Sequence, residues 1–367
     1  MEYCKDDVDA ARQFALLRSH SAVLGRDPWQ IQGAGGNTSI KQGDIMWIKA
    51  SGKWLMHAND DELFVPVMRQ PLLDALDASD PRAEKSIAFV VDELNPQGLR
   101  PSIETTLHAV LQQRVVIHIH CVDTIALAVR QDAQLQLSER LGAFSWVFIP
   151  YVRPGLPLSR SIASRINVDT NVLVLGNHGL VVAADSVAEC IVLLESVRLA
   201  LFCESRRLQS VDEHDIDMGL NANSLHGGTP SPRLDNPDYA PAQFRDAHAL
   251  AFDPVGVDVA AGGSLYPDHV IFLGKGTVVA QVDEDVRAVV ERCRMGDEQP
   301  PVSIVFPGEG VVLRNDATPG QQAMARCLSD VCLRVPAGTA INYLTEQQNH
   351  ELLHWEAEQY RQVLNRA

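Results

Sequence analysis

No run of about 18 consecutive apolar residues occurs in the 367-residue chain, so no membrane-spanning helix is expected. The amino-terminal stretch from Met1 to Phe14 is charged and carries no apolar signal core. Paired cysteine motifs are missing too. The seven cysteines (Cys4, Cys121, Cys190, Cys203, Cys293, Cys327 and Cys332) are odd in number and none form C-x-x-C, which argues against a disulfide framework and against a cysteine zinc site. Scattered thiols of this kind fit a reducing cytoplasm. Positive charge is in deficit: 31 Lys and Arg against 47 Asp and Glu leave a net charge of −16. So acidic a surface argues against nucleic acid or an anionic membrane as the main partner, though not against a small anionic ligand in a locally basic pocket. There is no G-x-S-x-G elbow, and Cys121 neighbours His120 on a strand-like stretch where adjacent side chains point to opposite faces. Nucleophilic catalysis is therefore poorly supported.

What stands out instead is Val115-Val116-Ile117-His118-Ile119-His120. The β-branched residues predict a strand, and on a strand two steps advance about 6.6 Å along one face. His118 and His120 thus lean the same way, close enough to share one ion. A polar network in the core is the other explanation. A catalytic zinc site usually takes three protein ligands, and His178, between Gly176 and Gly179 at the end of the strand Val172–Leu175, is the candidate third. Glu104 opens a helix expected from Ile103 to about Gln112. Beside a metal it would be a ligand or an acid/base; alone it would serve its own helix dipole. His108, one turn on, would either support the site from behind Glu104 or belong to the helix packing, and the packing role is the expectation.

Gly33-Ala34-Gly35-Gly36-Asn37-Thr38-Ser39 resembles an anion-cradling loop but is neither a Walker motif nor G-x-G-x-x-G. It leads into a hairpin, Thr38–Lys41 and Ile45–Ala50, whose second strand ends in Lys49-Ala50-Ser51-Gly52. The two segments together suggest a phosphate or carboxylate pocket, with a tight hairpin start as the plain alternative. Pro71–Asp77, Ala83–Leu94 and about 186–208 read as helices. Val270–Leu273 reads as a strand, and about 346–365 as one terminal helix. A chain this long exceeds one core, so we expect a first domain over 1–210, a polar linker or surface excursion over 211–243 and a smaller α/β region over 244–367. The short hairpin turn makes the sheet mixed or largely antiparallel, predicting a three-layer α/β/α architecture.

The order of these segments is similar to that of the class II aldolase/adducin family: Gly35 to Ser39, Lys49 to Gly52, Pro101-Ser102-Ile103-Glu104, His118-Ile119-His120, then Asn177-His178-Gly179. The resemblance covers about residues 10–208. It implies that His118, His120 and His178 hold a divalent metal, usually zinc, and that Glu104 is the acid/base. It further implies that Gly36, Asn37, Ser51, Gly52 and Ser102 hold the substrate's anionic group. The implied activity is retro-aldol cleavage of a ketose phosphate or related hydroxy-carbonyl compound through a metal-stabilised enediolate, in a cytoplasmic homotetramer. An epimerase of the family, or a non-enzymatic adducin-like scaffold, is the alternative. Ile103 departs from the pattern, since sugar-phosphate aldolases typically place a second serine there. After about residue 230 the chain is similar to the aldolase part of rhamnulose-phosphate aldolase/dehydrogenase fusions.

Overall fold

The alternation around His118 does form a strand, at the centre of a large sheet. The computed structural model describes residues 3–206, 234, 236–296 and 299–364. Its first half contains helix α1 (Tyr3–Arg26), strands β1 (Asn37–Gln42), β2 (Ile45–Lys49) and β3 (Phe64–Met68), and helices α2 (Arg69–Asp77) and α3 (Thr105–Val110). There follow β4 (Val115–Ile119), α4 (Val122–Ala128), α5 (Ala133–Leu141), β5 (Trp146–Ile149), α6 (Leu156–Ala163), β6 (Val172–Leu175), β7 (Gly179–Ala184) and α7 (Val187–Leu201). The seven strands pair in the order β3-β2-β1-β4-β7-β6-β5, antiparallel throughout except for β5 with β6.

Period-two alternation divides the sheet's two faces. Val115, Ile117 and Ile119 of β4 pack with Leu17 and Leu24 of α1, Leu137 of α5 and Leu194 of α7. Val116 faces the other way, toward Leu107 of α3 and Leu158 and Ile162 of α6. His118 follows Val116 by two residues, so it lies on the α3 side. Helices thus cover both faces, giving the α/β/α layering with a mixed, mostly antiparallel sheet.

A smaller second sheet and its helices make up the rest. Strands β8 (Tyr239–Pro241), β9 (Val278–Val279), β10 (Ser303–Phe306) and β11 (Gly310–Arg314) pair in the order β8-β11-β10-β9. The helices are α8 (Arg245–His248), α9 (Pro254–Ala261), α10 (Pro267–Leu273), α11 (Val286–Met295), α12 (Pro319–Cys332), α13 (Glu346–Leu353) and α14 (Glu356–Leu364). Val122, Ile125, Ala126 and Val129, in and just after α4, share one core with α9, α10 and α12. Helix α4 thereby joins this region to the large sheet. No helix among the described residues is long and apolar enough to cross a membrane. Most of the stretch 211–243, expected as a linker, lies outside the described residues.

Three expected elements differ. Val270–Leu273 is not a strand but the end of α10. Every residue of that helix is buried, so its apolar run carries no period to distinguish it, and Pro267 in the first turn favours the helix. Ala83–Leu94 forms separate 3₁₀ turns rather than one helix. Val90 bridges Val67 and the Val91 amide donates to the Pro66 carbonyl (3.0 Å), so this backbone serves the sheet edge instead. The terminal helix breaks at His354, and Trp355 turns inward beneath the Arg153 guanidinium (4.3 Å).

Candidate active site

The register of the large sheet assembles the site. Asn37 lies directly opposite His118 in the β1–β4 pair, and Val181 lies opposite it on the other side. His120 follows just beyond β4, and His178 occupies the turn between β6 and β7. That turn is made by Asn177, which takes a left-handed backbone (φ 54°), a conformation that asparagine tolerates better than most residues. The Asn177 amide is tied to the carbonyls of Leu265 (2.9 Å) and Asn342 (2.6 Å) in the carboxy-terminal region. Glu104 is the N-cap residue of α3. The four side chains converge: one ligand atom from each of Glu104, His118, His120 and His178 lies within 4.8 Å of the others, and all four residues are buried.

The protons of this cluster can be located from its partners. His118 Nδ1 contacts the Leu180 carbonyl oxygen (3.0 Å), which only accepts, so Nδ1 carries the proton and Nε2 is a bare lone pair. His120 Nδ1 sits 3.0 Å from Asp268 Oδ2, a carboxylate oxygen that accepts, so Nδ1 donates there. The two Nε2 atoms then face each other across 3.1 Å. A contact of that length between two ring nitrogens needs a proton or a metal ion between them. Glu104 Oε2 is 3.3 Å from His118 Nε2, and Glu104 Oε1 is 3.5 Å from His178 Nε2. Oε1 is buried without a hydrogen-bond donor. Burial lowers the pKa of His118 to about 4 and of His178 to about 3 against the pull of Glu104, so both rings are neutral at pH 7. Burial works to raise the Glu104 carboxyl, but the three histidines and the bond from Asn37 outweigh it and hold it at about 2. The cluster is therefore a converging set of nitrogen and oxygen acceptors, which fits a divalent metal.

Asn37 anchors the carboxylate. Its amide donates to Glu104 Oε2 (2.9 Å) and Ser102 Oγ (3.1 Å), while its carbonyl accepts from His108 Nε2. Ser39 Oγ is 2.7 Å from His108 Nδ1 and completes the chain. His108 is thus more than helix packing: it fixes the Asn37 amide, and through it one oxygen of Glu104. Gly36, Asn37, Ser51, Gly52 and Ser102 all line one cavity of about 30 Å³ with Glu104, His120 and His178. The Ser51–Gly52 turn is covered by α14, since a Cβ on Gly52 would meet Leu364 Cδ1 at 2.5 Å. Lys49 contributes its cation inward. Its buried ammonium donates to the carbonyls of Ala34 (2.7 Å) and Gly36 (2.9 Å), and burial brings its pKa down to about 7.

Sequence reasoning missed Asp268 on α10 and Glu358 and Arg361 on α14, which line the same cavity. Arg361 clamps Asp268 through two bonds, Nη1–Oδ1 at 2.8 Å and Nη2–Oδ2 at 3.1 Å. Burial works against the charge on Asp268, but Arg361 and His120 hold its carboxyl well below the usual range. Nothing in the chain's pattern links these residues to the histidines, because they sit on two helices, α10 and α14, whose packing alone brings them in.

The family model described as Class II Aldolase and Adducin N-terminal domain matches residues 17–203. A protein of Bacillus subtilis (strain 168) named Uncharacterized oxidoreductase YuxG is 31% identical over 184 residues, which cover 46% of this chain and 26% of that protein. The chain thus spans about a quarter of that relative's length. Among solved structures, the N-terminal class II aldolase domain of a conserved protein from Thermoplasma acidophilum is 24% identical, with a TM-score of 0.44 over 50% of this chain and 90% of its own. An aldolase II superfamily protein from Pseudomonas syringae is 20% identical, with a TM-score of 0.39 over 52% and 72%.

Proposed function

The chain belongs to the class II aldolase/adducin family, and from that premise we propose that it is a metal-dependent carbon–carbon lyase. It would cleave a ketose phosphate or a related hydroxy-carbonyl compound by retro-aldol chemistry. The observation that carries this reading is the pair of facing Nε2 atoms on His118 and His120, 3.1 Å apart, with His178 and the Glu104 carboxylate turned onto the same point. A non-enzymatic scaffold has no use for four buried metal-ligand groups turned onto one point, whose burial costs stability unless a cation satisfies them.

His118, His120 and His178 would hold the metal, and three nitrogens with one nearby carboxylate oxygen match zinc's preferences. When bound, the cation supplies Lewis-acid polarisation of a substrate carbonyl and its neighbouring hydroxyl. Glu104 moves the proton. In the cleavage direction the bond between the carbon next to the carbonyl and the following hydroxyl-bearing carbon breaks. That hydroxyl gives up its proton and becomes the aldehyde, and the carbon left behind gains a proton. The Asn37 bond holds Oε2 in place and leaves Oε1 facing the cavity to make these transfers. Ser51, Gly52 and Ser102 are the proposed contacts for the substrate's anionic group, since both N–H groups of the Asn37 amide are taken by Glu104 and Ser102. The word oxidoreductase belongs to a relative of which this chain covers only 26%, and it adds no second reaction here.

The test is metal analysis of the purified chain, followed by a screen of ketose phosphates and hydroxy-keto acids for aldehyde release. Stoichiometric zinc and aldehyde formation support the lyase. A product that keeps every carbon and inverts one centre, seen by NMR, would replace it with an epimerase. A metal-free protein indifferent to chelator would end the reading altogether.

A further inference from the structure

The carboxy-terminal region reaches the histidines at two points. Asp268 Oδ2 meets His120 Nδ1 at 3.0 Å, and the carbonyls of Leu265 and Asn342 hold the Asn177 amide beside His178. The Asp268–His120 and Asn177–Leu265 contacts are buried, and the Asn177–Asn342 bond partly so. Asp268 is 3% exposed and clamped by the bidentate bonds of Arg361, which is itself tied to Glu358 (3.3 Å) on the same helix. Gly35 gives the Asp268–His120 bond its room: a Cβ there would stand 2.9 Å from His120 Nδ1 and 3.2 Å from Asp268 Oδ2.

A histidine ring turns freely about its outer bond and exchanges its proton between two nitrogens unless a partner fixes both. His118 has such a partner in a main-chain carbonyl of its own sheet. His120 lies beyond the last paired residue of β4, and its Nδ1 meets the Asp268 carboxylate rather than a main-chain carbonyl. We propose that Asp268 is the positioning residue for His120: with Arg361 holding its carboxylate in plane, it keeps the proton on Nδ1 and aims the Nε2 lone pair at the metal position. The carboxy-terminal region is then part of the active site rather than an appendage to it. This inference rests on the reading of His118, His120 and His178 as metal ligands. Partners of ligating histidines typically govern metal affinity by 10–100-fold.

Two variants of the full chain test it. D268A removes the acceptor, and D268A/R361M also removes the guanidinium that has lost its Asp268 bonds. Two readouts are taken on each: the zinc dissociation constant by competition with a chromophoric chelator, and the tautomer of His120 in the metal-free protein by ¹⁵N NMR. The expected result is a dissociation constant raised 10–100-fold, with His120 passing from a single Nδ1–H form in the wild type to a mixture. A folded variant that binds zinc within twofold of the wild type, or keeps one His120 tautomer, overturns the assignment. If the wild type itself binds no zinc, the metal reading falls, and the tautomer measurement alone decides whether Asp268 orients the ring.

Discussion

Gly35→Ala is a one-methyl perturbation aimed at the join between the two halves of the molecule. Gly35 does not need a left-handed backbone, so alanine meets no conformational barrier there and only space decides the outcome. Its Cβ would lie 2.9 Å from the Gln32 carbonyl, 2.9 Å from His120 Nδ1 and 3.2 Å from Asp268 Oδ2. Two of these are about half an ångström inside ordinary contact. The Gln32 carbonyl cannot retreat cheaply, because it accepts the Gly35 amide at 2.9 Å. The His120 ring must therefore give way. Overpacking of this size costs about 1–3 kcal/mol, and the stiffer unfolded chain returns about 0.4–1 kcal/mol, so a net loss of roughly 1–2 kcal/mol is expected. A ligand displaced by about 0.5 Å also leaves the tolerance of a metal site, so zinc should bind at least tenfold more weakly. Urea unfolding in chelator measures the first effect and a zinc competition titration the second. A variant as stable as the wild type, with unchanged zinc affinity, would refute the claim that this contact sets the position of His120.

Glu104→Gln should retain zinc on the three histidines yet lose about 10²–10⁴-fold in turnover; full activity would remove Glu104 from its proposed role. Stripping the metal should lower the melting temperature, and zinc at 100 times its dissociation constant should restore about 2.7 kcal/mol, which calorimetry with and without chelator can read. Acid should destabilise the carboxy-terminal region ahead of any carboxylate effect there. His269 accepts the Leu265 amide on Nδ1 (3.2 Å) and its Nε2 donates to the Gly276 carbonyl (2.9 Å), and burial lowers its pKa to about 4 from 6.5. A neutral ring is required, so this stability is complete above pH 6.5 and is lost as pH falls toward 4, on the order of 3 kcal/mol. His248 is held in the same way by the Val311 amide (3.0 Å) and the Ala242 carbonyl (3.0 Å), and burial lowers it too. Unfolding free energies from pH 7 to 4, with H269Q as control, check this: the variant should show a flatter slope.

Much of the first half could be read along the chain, because local rules place it. The alternation in Val115–Ile119 set the strand and the face on which His118 lies, and the short turn at Gly43 set the hairpin and so the antiparallel pairing. His178, Glu104 and Asn37 were found through their order in the chain. The bonds among them were not, since the opposition of Asn37 and His118 is a matter of strand register. His108 reads as a packing residue until the sheet brings Asn37 within its reach. Helix α10 escaped because a fully buried helix and a buried strand have the same composition, and only its neighbours distinguish them.

Asp268, Glu358 and Arg361 were beyond reading of this kind. A buried carboxylate and guanidinium are identified by the partners that make their burial tolerable, and the pair that orders this site, Asp268 and Arg361, is 93 residues apart in the chain. Linear pattern therefore carries the chemistry of each ligand and the fold of the sheet that bears it. It does not carry which distant helix satisfies the remaining hydrogen bond, because that depends on how α10 and α14 pack against the glycine loop, a contact made in three dimensions and encoded at no single place in the chain.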